Sequence, residues 1–179
     1  MRMLGAVAVV LLGCGGQVVG KLDGNSLNVA EVAFVLHRGE PSVSVWLSDQ
    51  LGLCSQIKKN QLIRNSNMLS LNLVLVTDDN RETNELVPGS YPMSPRAPLP
   101  GPGRYGQARF HNNDDKCVET LVTQRAFGEM GAIEITTFDQ TKRAAGTFDV
   151  TFGSGDRLTG SFDAPLCDVE LSEGTPSCE

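Results

Sequence analysis

Few residues in this chain could do chemistry: five cysteines (Cys14, Cys54, Cys117, Cys167, Cys178), two histidines (His37, His111) and scattered carboxylates. A thiol can bind metal, attack a substrate, carry a lipid or form a disulfide, and spacing decides which. No two cysteines have C-x-x-C spacing, and neither histidine is followed three or four residues later by a cysteine or a second histidine. Carboxylates do stand there, Glu40 after His37 and Asp114 with Asp115 after His111, but in segments that read as turns. No metal or other cofactor is expected. The G-x-S-x-G, H-E-x-x-H and Walker signatures are absent. Gly101, Gly103 and Gly106 spell G-x-G-x-x-G, but they follow prolines where a strand is required and open no helix that could receive phosphate. His111 to Asp115 and Asp78 to Glu82 read as solvated turns, and His37 as a surface residue at a strand end. No catalytic residue is expected.

Cys14 stands apart from the other thiols. Met1-Arg2 is a minimal positive start, and Met3 to Leu12 is an apolar run of ten residues, far short of the roughly 20 that span a bilayer. Leu11-Leu12-Gly13-Cys14 then resembles the bacterial lipobox, with an aliphatic residue at −3 and a small one at −1. Only a thiol can form the thioether to diacylglycerol, and a small neighbour admits the peptidase. The reading is a lipoprotein signal over residues 1–13 and a lipidated tether over 14–17. Two or three acyl chains would anchor the protein stably, each buried CH₂ contributing about 0.8 kcal/mol. Gly15 after the cysteine, with no Asp, resembles enteric lipoproteins sorted to the outer membrane.

Removing Cys14 leaves an even four cysteines in a chain bound for an oxidising compartment, which implies two disulfides. Four thiols permit three pairings, and counting cannot choose among them. Cys54 and Cys167 lie beside apolar segments, whereas Cys178 lies in a polar tail. This favours Cys54 with Cys167 and Cys117 with Cys178.

The elements that must carry these residues are mostly strands, because period-two alternation dominates and long helical periods are missing. Val43, Val45 and Leu47 oppose Ser44, Trp46 and Ser48, and Leu69 to Leu75 alternates with Ser70, Asn72 and Val74. Ala33 to Leu36, Arg109 with Phe110, Cys117 to Thr123 and Ile133 to Phe138 are further candidates. The expectation is an all-β fold, an antiparallel sandwich or barrel of about eight to ten strands over residues 18–171. One short helix is expected near 49–60, capped by Asp49, with Leu53, Cys54 and Ile57 on its buried face.

Gly146-Thr147-Phe148-Asp149 recurs as Gly160-Ser161-Phe162-Asp163 around a Gly153 to Asp156 turn, which predicts a hairpin. Facing Phe148 with Phe162 sets Val150 against Gly160 and Phe152 against Leu158. Gly20-Lys21-Leu22-Asp23 repeats the pattern, and Trp46 is a candidate large neighbour for these inward glycines. The proline-rich stretch 88–103 reads as a long surface loop, because proline donates nothing to a ladder. Were it a ligand for a protein partner, Tyr91, Arg96 and Tyr105 would make the contacts. The tail 172–179 reads as irregular, pinned by Cys178.

The chain has 179 residues, 40% hydrophobic and 20% charged, with a formal charge of −6. That composition suits one ordinary globular domain with a real core. The basic residues are scattered, so no clustered positive surface exists for a phosphate backbone, and nucleic acid is excluded as a partner.

Beyond the lipobox, three blocks carry a family likeness: an early strand with Gly16, Val18, Gly20 and Leu22, the segment Trp46 to Cys54 (W-L-S-D-x-x-G-L-C), and Gly160 to Asp168 (G-S-F-D-A-P-L-C-D). Together they resemble bacterial lipoproteins of myxobacterial type. The resemblance implies a cell-envelope location and supports a Cys54 to Cys167 pair; it implies no activity. The expectation is a lipid-anchored envelope protein, sorted to the outer membrane, whose β domain is a binding or interaction module. The alternative is a calycin-like barrel carrying a small apolar ligand.

Overall fold

The computed structural model describes residues 15–36, 42–94, 101–169 and 177–178. In chain order the elements are β1 (Gly16–Val19), β2 (Glu31–Leu36), β3 (Ser42–Ser48), α1 (Leu53–Lys59), β4 (Gln61–Leu62) and β5 (Ser66–Val76). Then come β6 (Glu82–Thr83), β7 (Gly89–Pro92), β8 (Gly103–Asn113), α2 (Thr123–Ala126), β9 (Gly128–Asp139), β10 (Arg143–Phe152), β11 (Arg157–Pro165) and β12 (Ser177–Cys178).

Two antiparallel sheets form a sandwich. One runs β1-β11-β10-β9-β7; the other runs β2-β3-β5, with β8 along the far edge of β5 and β6 beside its end. Neither closes into a barrel, so of the two expected architectures the sandwich is the one formed. Alternation explains the packing. Val43, Val45, Leu47, Leu69, Leu71 and Leu73 point inward from one sheet and meet Ile133, Phe148, Val150, Phe152 and Phe162 from the other. A strand side chain fully withdrawn from water contributes roughly 1.5–3 kcal/mol.

The second sheet is buried on its outer face too. Ala33, Val35 and Met68 pack there against Leu53 of α1 and against Cys167 and Val169. After β11 the chain crosses over: Leu166 bridges Phe34 in parallel and the Cys167 N–H donates to the Phe34 carbonyl at 2.8 Å. That crossing brings Cys167 to α1 and its bridge to Cys54. The second bridge joins Cys117 to Cys178 and holds β12 beside β4 in an otherwise undescribed tail.

Several expectations need correction. In the β10–β11 hairpin Phe148 faces Gly160 and Gly146 faces Phe162, two residues away from the expected register. A Cβ on Gly160 would stand 2.6 Å from the Phe148 ring, and one on Gly146 2.9 Å from the Phe162 ring. The near repeat is therefore a reciprocal glycine-under-phenylalanine pair, and a ring over a glycine fills space that two opposed rings would contest. An even slip keeps every side chain on its face, so the inward residues are unchanged. The turn is correspondingly tighter, closed by the Phe152 N–H to Asp156 carbonyl bond, with Gly155 at φ 87°. Trp46 is not the neighbour of these glycines; it lies on the outer face of the opposite sheet. Gly20 to Asp23 is a turn with Gly20 at φ 114°, not a third strand.

The helix starts at Leu53 rather than after Asp49, whose carboxylate accepts instead from the Asn67 N–H at 3.0 Å. Glu31 of β2 takes the capping role, accepting from the N–H groups of Gly52 and Leu53. Cys117 to Thr123 is a turn, not a strand, and Cys117 sits at φ 59°. A second helical turn, Thr123–Ala126, follows it. Part of the proline-rich stretch is a strand after all: Gly89–Pro92 pairs with β9 at the sheet edge, where proline is tolerated. Gly15 to Gln17 is not a free tether. Gly16 pairs with Phe162, and the Asp163 N–H donates to the Gly15 carbonyl at 2.8 Å.

Candidate functional site

Three places on the sandwich combine chemistry with position. The first is a polar patch on the outer face of β3, β5 and β8. Trp46, Ser70 and Arg109 form one cross-strand row, and His111 follows Arg109 on the same face. Beyond β8 the chain doubles back through a turn in which the Asp114 carboxylate accepts from the N–H groups of Lys116 (2.8 Å) and Val118 (2.9 Å). The Cys117–Cys178 bridge pins that turn. The Asn113–Glu119 bridge then presents the Glu119 carboxylate to β8.

The resulting chain of contacts has the order of a nucleophilic triad. Ser70 Oγ is 3.2 Å from His111 Nε2, and His111 Nδ1 is 3.5 Å from Glu119 Oε1. Trp46 stacks on the imidazole with centroids 5.7 Å apart. Burial, helped by the Arg109 charge, pushes the His111 pKa down to about 4.

Geometry argues against nucleophilic use. Ser70 is 3% exposed, which leaves a substrate carbonyl no approach. The Glu119 to Nδ1 separation exceeds a hydrogen bond, and Arg109 Nη2 binds the other carboxylate oxygen. An imidazole with a pKa near 4 is also a weak general base at neutral pH. The patch joins β3, β5, β8 and the 114–119 turn around one largely shielded imidazole ring.

The second place lies at the proline-rich stretch. An open depression of about 530 Å³ is lined by Val76, Asp78, Ser90, Pro92, Gly103 and Arg104. Of the residues expected to contact a partner there, Tyr91 is fully buried, and its hydroxyl donates to the Val87 carbonyl at 2.9 Å. It is a core residue, not a contact, because it points inward from an edge strand that β9 pairs. Tyr105 is half-buried and donates to the Gly101 carbonyl at 2.8 Å, and Arg96 lies outside the described residues.

The third place is the N-terminal end. A cleft of about 320 Å³ is bounded by Gly15, Gly16, Val29, Glu31, Asp163 and Pro165. Cys14 and His37 lie outside the described residues. All four cysteines expected to pair are joined, Cys54 to Cys167 and Cys117 to Cys178. No three His, Cys, Asp or Glu side chains converge as a metal site among the described residues.

Sequence reasoning missed Ser70, Trp46, Arg109 and Glu119 as neighbours of His111. Alternation alone places Ser70 opposite Leu69 and Leu71, and Trp46 opposite Val45 and Leu47. What it does not supply is the register joining β5 to β8, whose paired residues Ser70 and Arg109 are far apart in the chain.

No family model, curated protein or solved structure matches the chain. The class that the fold defines is an all-β antiparallel sandwich stapled by two disulfides.

Proposed function

We propose that this protein is exported under a lipoprotein signal, residues 1–13, and held at the cell envelope by lipid on Cys14, with the sandwich acting as a rigid module that binds a protein partner. The observation that carries the reading is the pairing of Cys54 with Cys167 and Cys117 with Cys178, which uses every thiol after Cys14. Structural disulfides belong to oxidising compartments outside the cytoplasm. The Leu11 to Cys14 motif supplies the route there, and the absence of Asp after Cys14 favours the outer membrane. The likeness to lipoproteins of myxobacterial type agrees with both.

The packed interior favours a binding module over a carrier. Leu69, Leu71, Leu73, Ile133 and Val150 are all fully buried between the sheets, where a carrier would need a lined cavity. The depression beside the proline-rich stretch, open and flanked by Arg104 and Asp78, suits an extended chain better than an enclosed small molecule. Metabolic labelling with palmitate tests the anchor. The native chain should take up label and sediment with membranes, and Cys14→Ser should do neither. Label and membrane retention in the Cys14→Ser form would overturn the proposal.

A further inference from the structure

We propose that the end of the sandwich carrying Gly15 lies directly on a zwitterionic phospholipid surface, with Leu51 inserted at the headgroup boundary. The inference rests on lipid attachment at Cys14 and adds an orientation and a contact residue to it.

The distance from anchor to fold decides the matter. The Gly15 carbonyl is already bonded to Asp163, and Gly16 is already in β1 opposite Phe162. Gly15, the residue that follows the proposed anchor, is therefore already part of the folded body. No tether remains to hold the sandwich away from the lipid.

That same end displays Leu51, which at 74% exposure is the most exposed large hydrophobic side chain among the described residues. Its turn is clamped on both sides. Asp49 accepts from the Asn67 N–H, and Glu31, which lines the cleft beside Gly15, accepts from Gly52 and Leu53. A rigid turn presenting a bare leucine beside a lipid anchor has its apolar surface matched by the acyl boundary.

The β9–β10 turn reaches this end as well: Arg143 pairs with Pro165, and the Leu166 N–H donates to the Lys142 carbonyl at 2.9 Å. The Lys142 and Arg143 side chains are 76% and 51% exposed and are paired at this end with Asp139 (3.8 Å) and Asp163 (3.3 Å). With Asp139 and Asp163 matched by those two cations, Glu31 and Asp49 are the carboxylates that stand beside the Leu51 turn. A strongly anionic surface would therefore repel it, and a zwitterionic one suits it.

The other exposed apolar side chains make an internal control. Met130, 63% exposed, pairs with Thr151 next to the Phe152 to Asp156 turn, at the opposite end of the sheet. Six strand steps from Arg157 to Asp163 separate the two ends by about 20 Å.

The test attaches the mature chain, which contains every described strand, through the Cys14 thiol to maleimide lipid in phosphatidylcholine vesicles with brominated acyl chains. Coupling the thiol chemically separates orientation from acylation in the cell, which palmitate labelling reads independently. Leu51→Trp and Met130→Trp are compared against the Trp46 background of the native chain, whose unchanged emission also verifies folding. The added emission of Leu51→Trp should fall by about half, as expected for a residue at the acyl boundary, and that of Met130→Trp should not change. Equal quenching at both positions, or none at Leu51→Trp, would overturn the orientation. Stronger quenching in phosphatidylglycerol-rich vesicles would overturn the assignment to a zwitterionic surface.

Discussion

The neutral, buried His111 makes a quantitative prediction about pH. Its pKa falls from 6.5 to about 4 in the folded protein. Each unit is worth 1.36 kcal/mol, so that shift amounts to about 3 kcal/mol. The sign follows from which state binds the proton. Between pH 6.5 and about 4 the unfolded imidazole is protonated and the folded one is not, so acidification favours unfolding through that window. Above 6.5 neither state holds the proton, and below about 4 both do, so the contribution is flat at either side. The charged groups facing the ring are Arg109, which opposes protonation, and Glu119, whose Oε1 lies 3.5 Å from Nδ1. Urea unfolding of the native chain and of His111→Gln at pH 7.5, 6, 5 and 4 isolates the effect, because all other titrating groups are common to both. Stability of the native chain relative to the variant should drop by about 3 kcal/mol from pH 7.5 to 4. A difference independent of pH, or an NMR titration of His111 near 6.5, would show that Glu119 outweighs burial and refute the reasoning.

Two further outcomes probe the frame. Gly160→Ala places a Cβ 2.0 Å from the Gln17 carbonyl oxygen and 2.6 Å from the Phe148 ring. Overpacking at that site should cost about 3 kcal/mol in urea denaturation, and a loss under about 0.5 kcal/mol would refute the glycine-under-phenylalanine register. Replacing Cys54 and Cys167 together with Ala opens a separation of 113 residues and should cost about 2–5 kcal/mol, read as a lower denaturation midpoint with the fold retained. An unchanged midpoint would mean that the bridge adds nothing to the clamp of α1 on the second sheet.

The alternation of Val43 to Leu47 and of Leu69 to Leu75 made two strands and their buried faces legible, because period two is a local property. The all-β class followed from the number of such runs, whereas the choice of an open sandwich over a closed barrel depends on sheet pairing that the runs do not carry. What escaped depends on contacts between distant segments. The hairpin register was misread by two residues because the sequence shows a glycine and a phenylalanine in each repeat but not that each ring covers the other strand's glycine. Adjacency in sequence points to Asp49 as the helix cap, whereas the carboxylate that caps is Glu31, one strand away in space. Tyr91 looked like a surface contact in a proline-rich run, and only pairing of Gly89–Pro92 with β9 turns its ring into the core. His111 likewise looked solvated among polar neighbours. Its shielding comes from Trp46, which is distant in sequence, and from the adjacent 114–119 turn, whose fold-back alternation does not show.

Under the proposed reading the disulfide-stapled sandwich begins, in its mature form, at a lipid-bearing cysteine. Mass spectrometry of the N-terminal peptide from membranes of the producing cell tests it most directly. The expected result is a chain starting at Cys14 with a diacylglyceryl thioether on its sulfur. A chain still beginning at Met1, or one cleaved elsewhere with Cys14 unmodified, would contradict it.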